Sequence, residues 1–248
     1  MMWNRCLAMA LLVLAPLGVH ANEILVAAAA SLTNAFREIA ASYEAGHPQD
    51  RVIFSFAASD ILQRQIVNGA PVDIFASADA VAMEKAEQAG LIEQGSRQDF
   101  ARNSLVLIVP IEDDGTASVA DLSGPATRRI ALGNPASVPA GRYARAALQQ
   151  TDQWDTLSDR FILGQNVRQV LDYVVRAEVD AGFVFGTDAA LVADRVRVVQ
   201  TLALPQEILY PIGLVARHGR SPQAAALLDY IRSPAGRAVL ERHGFGAP

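Results

Sequence analysis

The stretch Glu23-Ile-Leu-Val-Ala-Ala-Ala-Ala-Ser31-Leu-Thr-Asn-Ala-Phe-Arg-Glu-Ile-Ala-Ala-Ser-Tyr43 changes period at its middle. From Ile24 to Ala30 the residues are apolar without interruption, as in a strand covered on both faces. Beyond it the apolar positions are Leu32, Ala35, Phe36, Ile39, Ala40 and Tyr43, the spacing of one helix face. Ser31 stands at the junction, placed to cap that helix, and Gly46 and Pro48 stop it. A buried strand that hands over directly to a helix is the repeating unit of an α/β protein with a largely parallel sheet.

The unit recurs along the chain. Arg51 to Ala57 reads as a second strand, followed by Ser59 and Asp60 at the start of a helix through Ile61, Leu62, Gln65 and Ile66 that ends at Asn68-Gly69. Val72 to Ser77 is a third strand, leading into a helix that ends at Gly90. Asn103 to Pro110 is long, apolar and β-branched, suited to cross between two lobes. After a polar stretch from Glu112 to Gly124 a second series begins. It has a strand at Arg129 to Leu132, a helix from Gly141 towards Leu148, and a helix at Asn166 to Ala177 with Val167, Val170, Leu171 and Val174 on one face. A strand at Ala181 to Phe185 then turns through Gly186-Thr187-Asp188. Tyr210 to Val215 is a strand placed to return to the first lobe, and helices at Ser221-Pro222 and Ser233-Pro234 close the chain.

The bulk numbers agree with a globular, exported protein. The 248 residues are 51% hydrophobic and 19% charged, enough for two modest cores. Arg5, the apolar run from Leu7 to Val19 and the small-residue site Val19-His20-Ala21 read as a secretory signal over residues 1–21, removed near Ala21. The run is shorter than a bilayer needs and contains Pro16, which argues against a membrane anchor. Cys6 is the only cysteine, so the mature chain has neither a disulfide nor a thiolate metal site. The net charge of −5 makes nucleic acid an unsuitable partner.

The chemistry lies where strands meet helices. Ala30-Ser31, Ala58-Ser59, Pro139-Ala140-Gly141, Asn166-Val167 and Gly186-Thr187 each deliver a small or hydroxyl residue to a helix start. Such a turn offers free N–H groups and about half a positive charge, an anion site that needs no lysine or arginine. Ser31 and Ser59 have small neighbours, Ala27 to Ala30 and Ala57-Ala58, that allow a ligand close to the backbone.

Enzymatic signatures are missing: the sequence contains no G-x-S-x-G, P-loop, G-x-G-x-x-G, H-E-x-x-H or C-x-x-C. His47, His218 and His243 sit in turn-like contexts, and Asp73, Asp79 and Asp188 stand where capping accounts for them. A hydrolase or transferase that stabilises an anion at a helix terminus remains the alternative class.

These motifs together resemble the periplasmic molybdate-binding proteins of ABC transporters, the type II substrate-binding proteins. The pieces that carry the resemblance are Ala28-Ala-Ala-Ser-Leu-Thr-Asn34, Phe56-Ala-Ala-Ser59 with Arg64-Gln-Ile66, Gly69-Ala-Pro-Val-Asp-Ile-Phe-Ala-Ser-Ala-Asp79, Val138-Pro-Ala-Gly141, Asn166-Val-Arg168 and Gly182-Phe-Val-Phe-Gly-Thr-Asp188. The resemblance implies two α/β lobes joined by crossing strands, residues 22–102 with 206–248 forming one and 103–205 the other. It implies a monomeric, non-enzymatic periplasmic protein that needs no cofactor, captures molybdate or tungstate between its lobes and delivers it to a membrane permease. Metal enters only as that oxyanion, through the hydroxyls and amides of Ser31 and Ser59 and the amides of Ala140 and Val167. The family's fifth contact is a tyrosine hydroxyl where this chain has Phe185. A water, Thr187 or a shifted lobe is then left to supply the missing donor, and sulfate or phosphate stays open as the ligand. Asp60, beside Ser59, is either a first-turn acid or an acceptor for a protonated ligand.

Overall fold

A computed structural model describes residues 21–113 and 115–248, so the expected signal segment, up to its last residue, lies outside the described residues. The strands are β1 (Asn22–Ala29), β2 (Asp50–Ala57), β3 (Ile74–Ala76), β4 (Gln98–Asn103), β5 (Leu105–Pro110), β6 (Ile130–Gly133), β7 (Phe161–Gly164), β8 (Ala181–Phe185), β9 (Val196–Thr201) and β10 (Ile208–Leu214). The helices are α1 (Thr33–Gly46), α2 (Ser59–Val67), α3 (Ala80–Gln88), α4 (Pro139–Gln150), α5 (Trp154–Leu157), α6 (Val167–Val175), α7 (Gly186–Ala190), α8 (Ala224–Arg232) and α9 (Pro234–Arg242).

The strands form two five-stranded sheets of matching design, β2-β1-β3-β10-β4 and β7-β6-β8-β5-β9. In each, three strands are parallel neighbours, and one strand, β10 or β5, runs against the other four. The reversed strand comes each time from the far side of a crossover. Ser104 alone separates β4 in the first sheet from β5 in the second, so the stretch read as one strand from Asn103 is divided there. The chain returns between β9 and β10. This is the two-lobed α/β fold expected from the sequence.

Register places the turns. Along β1 and β2 the pairing runs from Asn22↔Asp50 to Ala29↔Ala57, so Ser31 and Ser59, each two residues further, emerge side by side. In the second sheet Gly133↔Gly164 ends the β6–β7 pairing in the same way. The core follows the expected periodicities: Ala35, Phe36, Ile39, Ala40 and Tyr43 are buried on α1, and Val167, Val170, Leu171 and Val174 on α6. Phe36, Ile39 and the valines and leucine of α6 each contribute roughly 1.5–3 kcal/mol by leaving water.

The sequence reading missed β4, β7 and β9. All three are edge strands; Gln98-Asp99 in β4 and Arg197 and Gln200 in β9 break the apolar run, whereas β7, Phe161-Ile-Leu-Gly164, is apolar but only four residues long. Among the described residues no helix is long and apolar enough to cross a membrane.

Candidate functional site

Ser31 does not cap α1 as expected. It lies in a 3₁₀ turn, Ala30–Leu32, and makes no capping hydrogen bond. Thr33 serves the turn instead, its hydroxyl donating to the Ala30 carbonyl at 2.7 Å. The Ser31 hydroxyl is 3.0 Å from the hydroxyl of Tyr210 on β10. Ser59 occupies the first position of α2, after Ala58. Its Oγ accepts the Ala78 N–H at 3.0 Å, which ties α2 to the segment after β3.

The second lobe contributes two more helix starts. Pro139 opens α4, so Ala140 is its second residue. Glycine is required just beyond: a Cβ on Gly141 would lie 1.8 Å from the Gly133 carbonyl oxygen, because α4 is pressed against the end of β6. Asn166 caps α6 by accepting from the Gln169 N–H at 3.0 Å, and Val167 is the first helical residue. Helix geometry denies the amides of Ser59, Ala140 and Val167 an intrahelical acceptor, and none of them donates to another backbone carbonyl among the described residues.

All five expected residues, Ser31, Ser59, Ala140, Val167 and Phe185, line one cavity between the lobes. Its volume is about 10 Å³, close to what one water needs, so admitting anything larger requires the facing termini to part. A cleft of about 240 Å³ shares Ala57, Ala58 and Asn166 with it. A wider depression, about 510 Å³ beside Arg217 and Arg220, lies elsewhere. There the arginines are committed to Asp73 and Glu93, and no helix start converges.

Phe185 is buried and stacks edge-on, its ring centroid 5.8 Å from that of Tyr210 and 6.4 Å from that of Tyr143. It brings no donor. Thr187 is not among the lining residues. Its hydroxyl accepts from Asn103 Nδ2 at 2.9 Å and its N–H points to Asn103 Oδ1.

Two ionic clusters cross the cleft, and sequence reasoning foresaw neither. Arg142 on α4 donates from Nε to Asp79 at 2.8 Å and from Nη2 to Asp60 at 2.6 Å. The other Asp60 oxygen takes Lys85 at 2.7 Å, so both oxygens of Asp60 face cations. Burial pushes the Asp79 carboxyl above the usual range although Arg142 opposes it. Arg168 pairs with Asp188 at 2.5 Å and reaches into the first lobe, to the Ser31 carbonyl at 3.2 Å and Asn34 Oδ1 at 3.0 Å. Asp188 is fully buried, with no hydrogen-bond partner for Oδ2 among the described residues, and burial lifts its carboxyl to about 6. Burial also holds the Tyr210 phenol well above its ordinary value. The cues in sequence were single arginines at helix starts; the partners of Arg142 lie 63 and 82 positions away and those of Arg168 in the first lobe 134 and 137.

From residue 24 to residue 246 the chain matches the family described as bacterial extracellular solute-binding protein. It belongs to that family. The molybdate-binding protein ModA of Escherichia coli (strain K12) is 38% identical over 234 residues, covering 90% of this solute-binding protein and 89% of the relative. The putative ABC transporter substrate-binding lipoprotein YvgL of Bacillus subtilis (strain 168) is 36% identical, with 90% and 85% covered. The solved periplasmic molybdate-binding protein of Azotobacter vinelandii shares the fold, with a TM-score of 0.79 at 24% identity over 91% of this chain and 99% of that one.

Proposed function

We propose that this solute-binding protein captures molybdate or tungstate in the cavity between its lobes and delivers it to the membrane permease of an ABC transporter. The observation that carries the reading is the convergence of Ser31, Ser59, Ala140 and Val167 from both lobes on one cavity with no carboxylate or cationic side chain in its lining. Hydroxyls and amides at helix starts supply the field for a dianion without a balancing cation. The names of the molybdate-binding relatives support the same ligand.

In this reading residues 22–102 with 206–248 form one lobe and 103–205 the other, and the oxyanion draws them together. The protein acts as a periplasmic monomer after loss of its signal near Ala21. In this reading it holds the oxyanion without converting it, and among the described residues no histidine or carboxylate lines the cavity. Phe185, which removes a donor, keeps sulfate or phosphate open as the second reading. A thermal-shift panel of molybdate, tungstate, sulfate, phosphate and chromate tests the proposal. Tight binding of molybdate or tungstate raises the midpoint selectively, and a panel in which neither raises it refutes the capture of these anions.

A further inference from the structure

The hydroxyl that Ser31 presents to the cavity has a partner on its other side, and the direction of that bond follows from a chain of groups behind it. Asn103 Oδ1 faces two backbone N–H groups, Ser104 at 2.9 Å and Thr187 at 3.5 Å. An N–H can only donate, so the amide is fixed with Nδ2 on the opposite side. That Nδ2 lies 2.9 Å from Thr187 Oγ1 and 3.1 Å from the Tyr210 hydroxyl, and donates to both. The Tyr210 oxygen is therefore an acceptor from Asn103. Its single proton points to its remaining partner, Ser31 Oγ, at 3.0 Å. Tyr210 is completely buried, and burial keeps its phenol protonated.

We propose that Asn103 and Tyr210 are positioning residues that fix Ser31 as a hydrogen-bond donor and so make the site selective for oxyanions that carry no proton. Ser31 Oγ receives the Tyr210 proton, and its own proton is left to meet the cavity. Ser59 is fixed in the same sense by the Ala78 N–H. Both oxygens of Asp60, the nearest carboxylate in the chain to Ser59, are held by Lys85 and Arg142. A ligand proton finds no acceptor there, which disfavours hydrogen phosphate and leaves molybdate, tungstate and sulfate.

This inference rests on the capture reading, and calorimetry separates the two. Molybdate and inorganic phosphate are titrated into the wild type, Tyr210→Phe, Ser31→Ala and the double variant at neutral pH. Tyr210→Phe is expected to weaken molybdate about tenfold, the scale of one hydrogen bond to a charged group, and to narrow the preference over phosphate. In the Ser31→Ala background the same change is expected to have little further effect, because Tyr210 acts through Ser31. An equal loss in both backgrounds, or unchanged affinity and preference in Tyr210→Phe, overturns the relay while capture stands. A wild type that does not bind molybdate overturns capture and the relay with it. If Tyr210→Phe does not fold, Asn103→Ala, which frees the Tyr210 proton to turn from Ser31, is read in the same cycle.

Discussion

The Tyr210 hydroxyl meets Ser31 Oγ at 3.0 Å across 179 positions of chain. It reaches there because β10 returns from the second sheet to lie beside β3 in the first. The crossover that joins the lobes thus also supplies the group that orients the first serine of the site.

Ser59→Ala removes one donor from the cavity and also strands the Ala78 N–H, which Ser59 Oγ now accepts. An unsatisfied buried donor costs about 1–3 kcal/mol. Molybdate affinity by calorimetry and unfolding free energy by urea titration are both expected to fall. Unchanged stability would show that another acceptor takes the Ala78 N–H.

Phe185→Tyr places a hydroxyl on the ring that lines the cavity. It is expected to tighten molybdate about tenfold or more, one hydrogen bond to a charged group. Equal or weaker affinity by calorimetry would mean that the site is complete without that donor.

Arg142→Gln cuts the tie between α4 and the Asp60–Asp79 pair on the opposite lobe. Breaking a buried pair from one side costs about 3–5 kcal/mol. Arg142 keeps 21% of its side-chain exposure, so the low end is expected. Lys85 remains on Asp60, which leaves Asp79 as the stranded charge. Solution scattering of the ligand-free variant should show a larger radius of gyration than the wild type. No change in radius would mean that this pair does not hold the lobes together.

Asp188 makes stability depend on pH. Burial raises its folded carboxyl to about 6 from the ordinary 3.8, so between these values the folded chain holds a proton that the unfolded chain has released. The resulting stabilisation is complete below the unfolded value and is lost as pH rises through the folded one. At most about 3 kcal/mol is involved, at 1.36 kcal/mol per unit. The unfolding free energy of the wild type relative to Asp188→Asn is expected to fall between pH 4 and 7, and a pH-independent difference would reject the assignment.

Gly141→Ala puts a methyl group against the Gly133 carbonyl, where backbone rather than a flexible side chain must yield. The start of α4 is expected to be displaced and the Ala140 amide with it. Both the melting temperature and molybdate affinity should fall. Retention of both would show that β6 and α4 can separate without cost to the site.

Much of this was legible in the order of residues. The apolar run into Ser31, the helical spacing from Leu32 to Tyr43 and the stops at Gly69 and Gly90, with φ of +88° and +69°, are local properties, and local sterics and periodicity decide them. The edge strands β4 and β9 were not legible, because pairing on one side only relaxes the demand for apolar residues, and β7 was not because its four residues, Phe161-Ile-Leu-Gly164, are too few to show a period.

The sequence by itself determined where strands meet helices, and hence that Ser31, Ser59, Ala140 and Val167 stand at turns able to offer hydroxyls and amides. Only the tertiary structure decided what those groups face. Register set Ser31 beside Ser59, and the crossing strands set Tyr210 behind Ser31. Closure brought Arg142 to Asp60 and Asp79, which turned a candidate proton acceptor into part of an ion pair. A hydrogen bond or ion pair depends on a few ångströms and a direction, and those are fixed between distant segments only when the core packs.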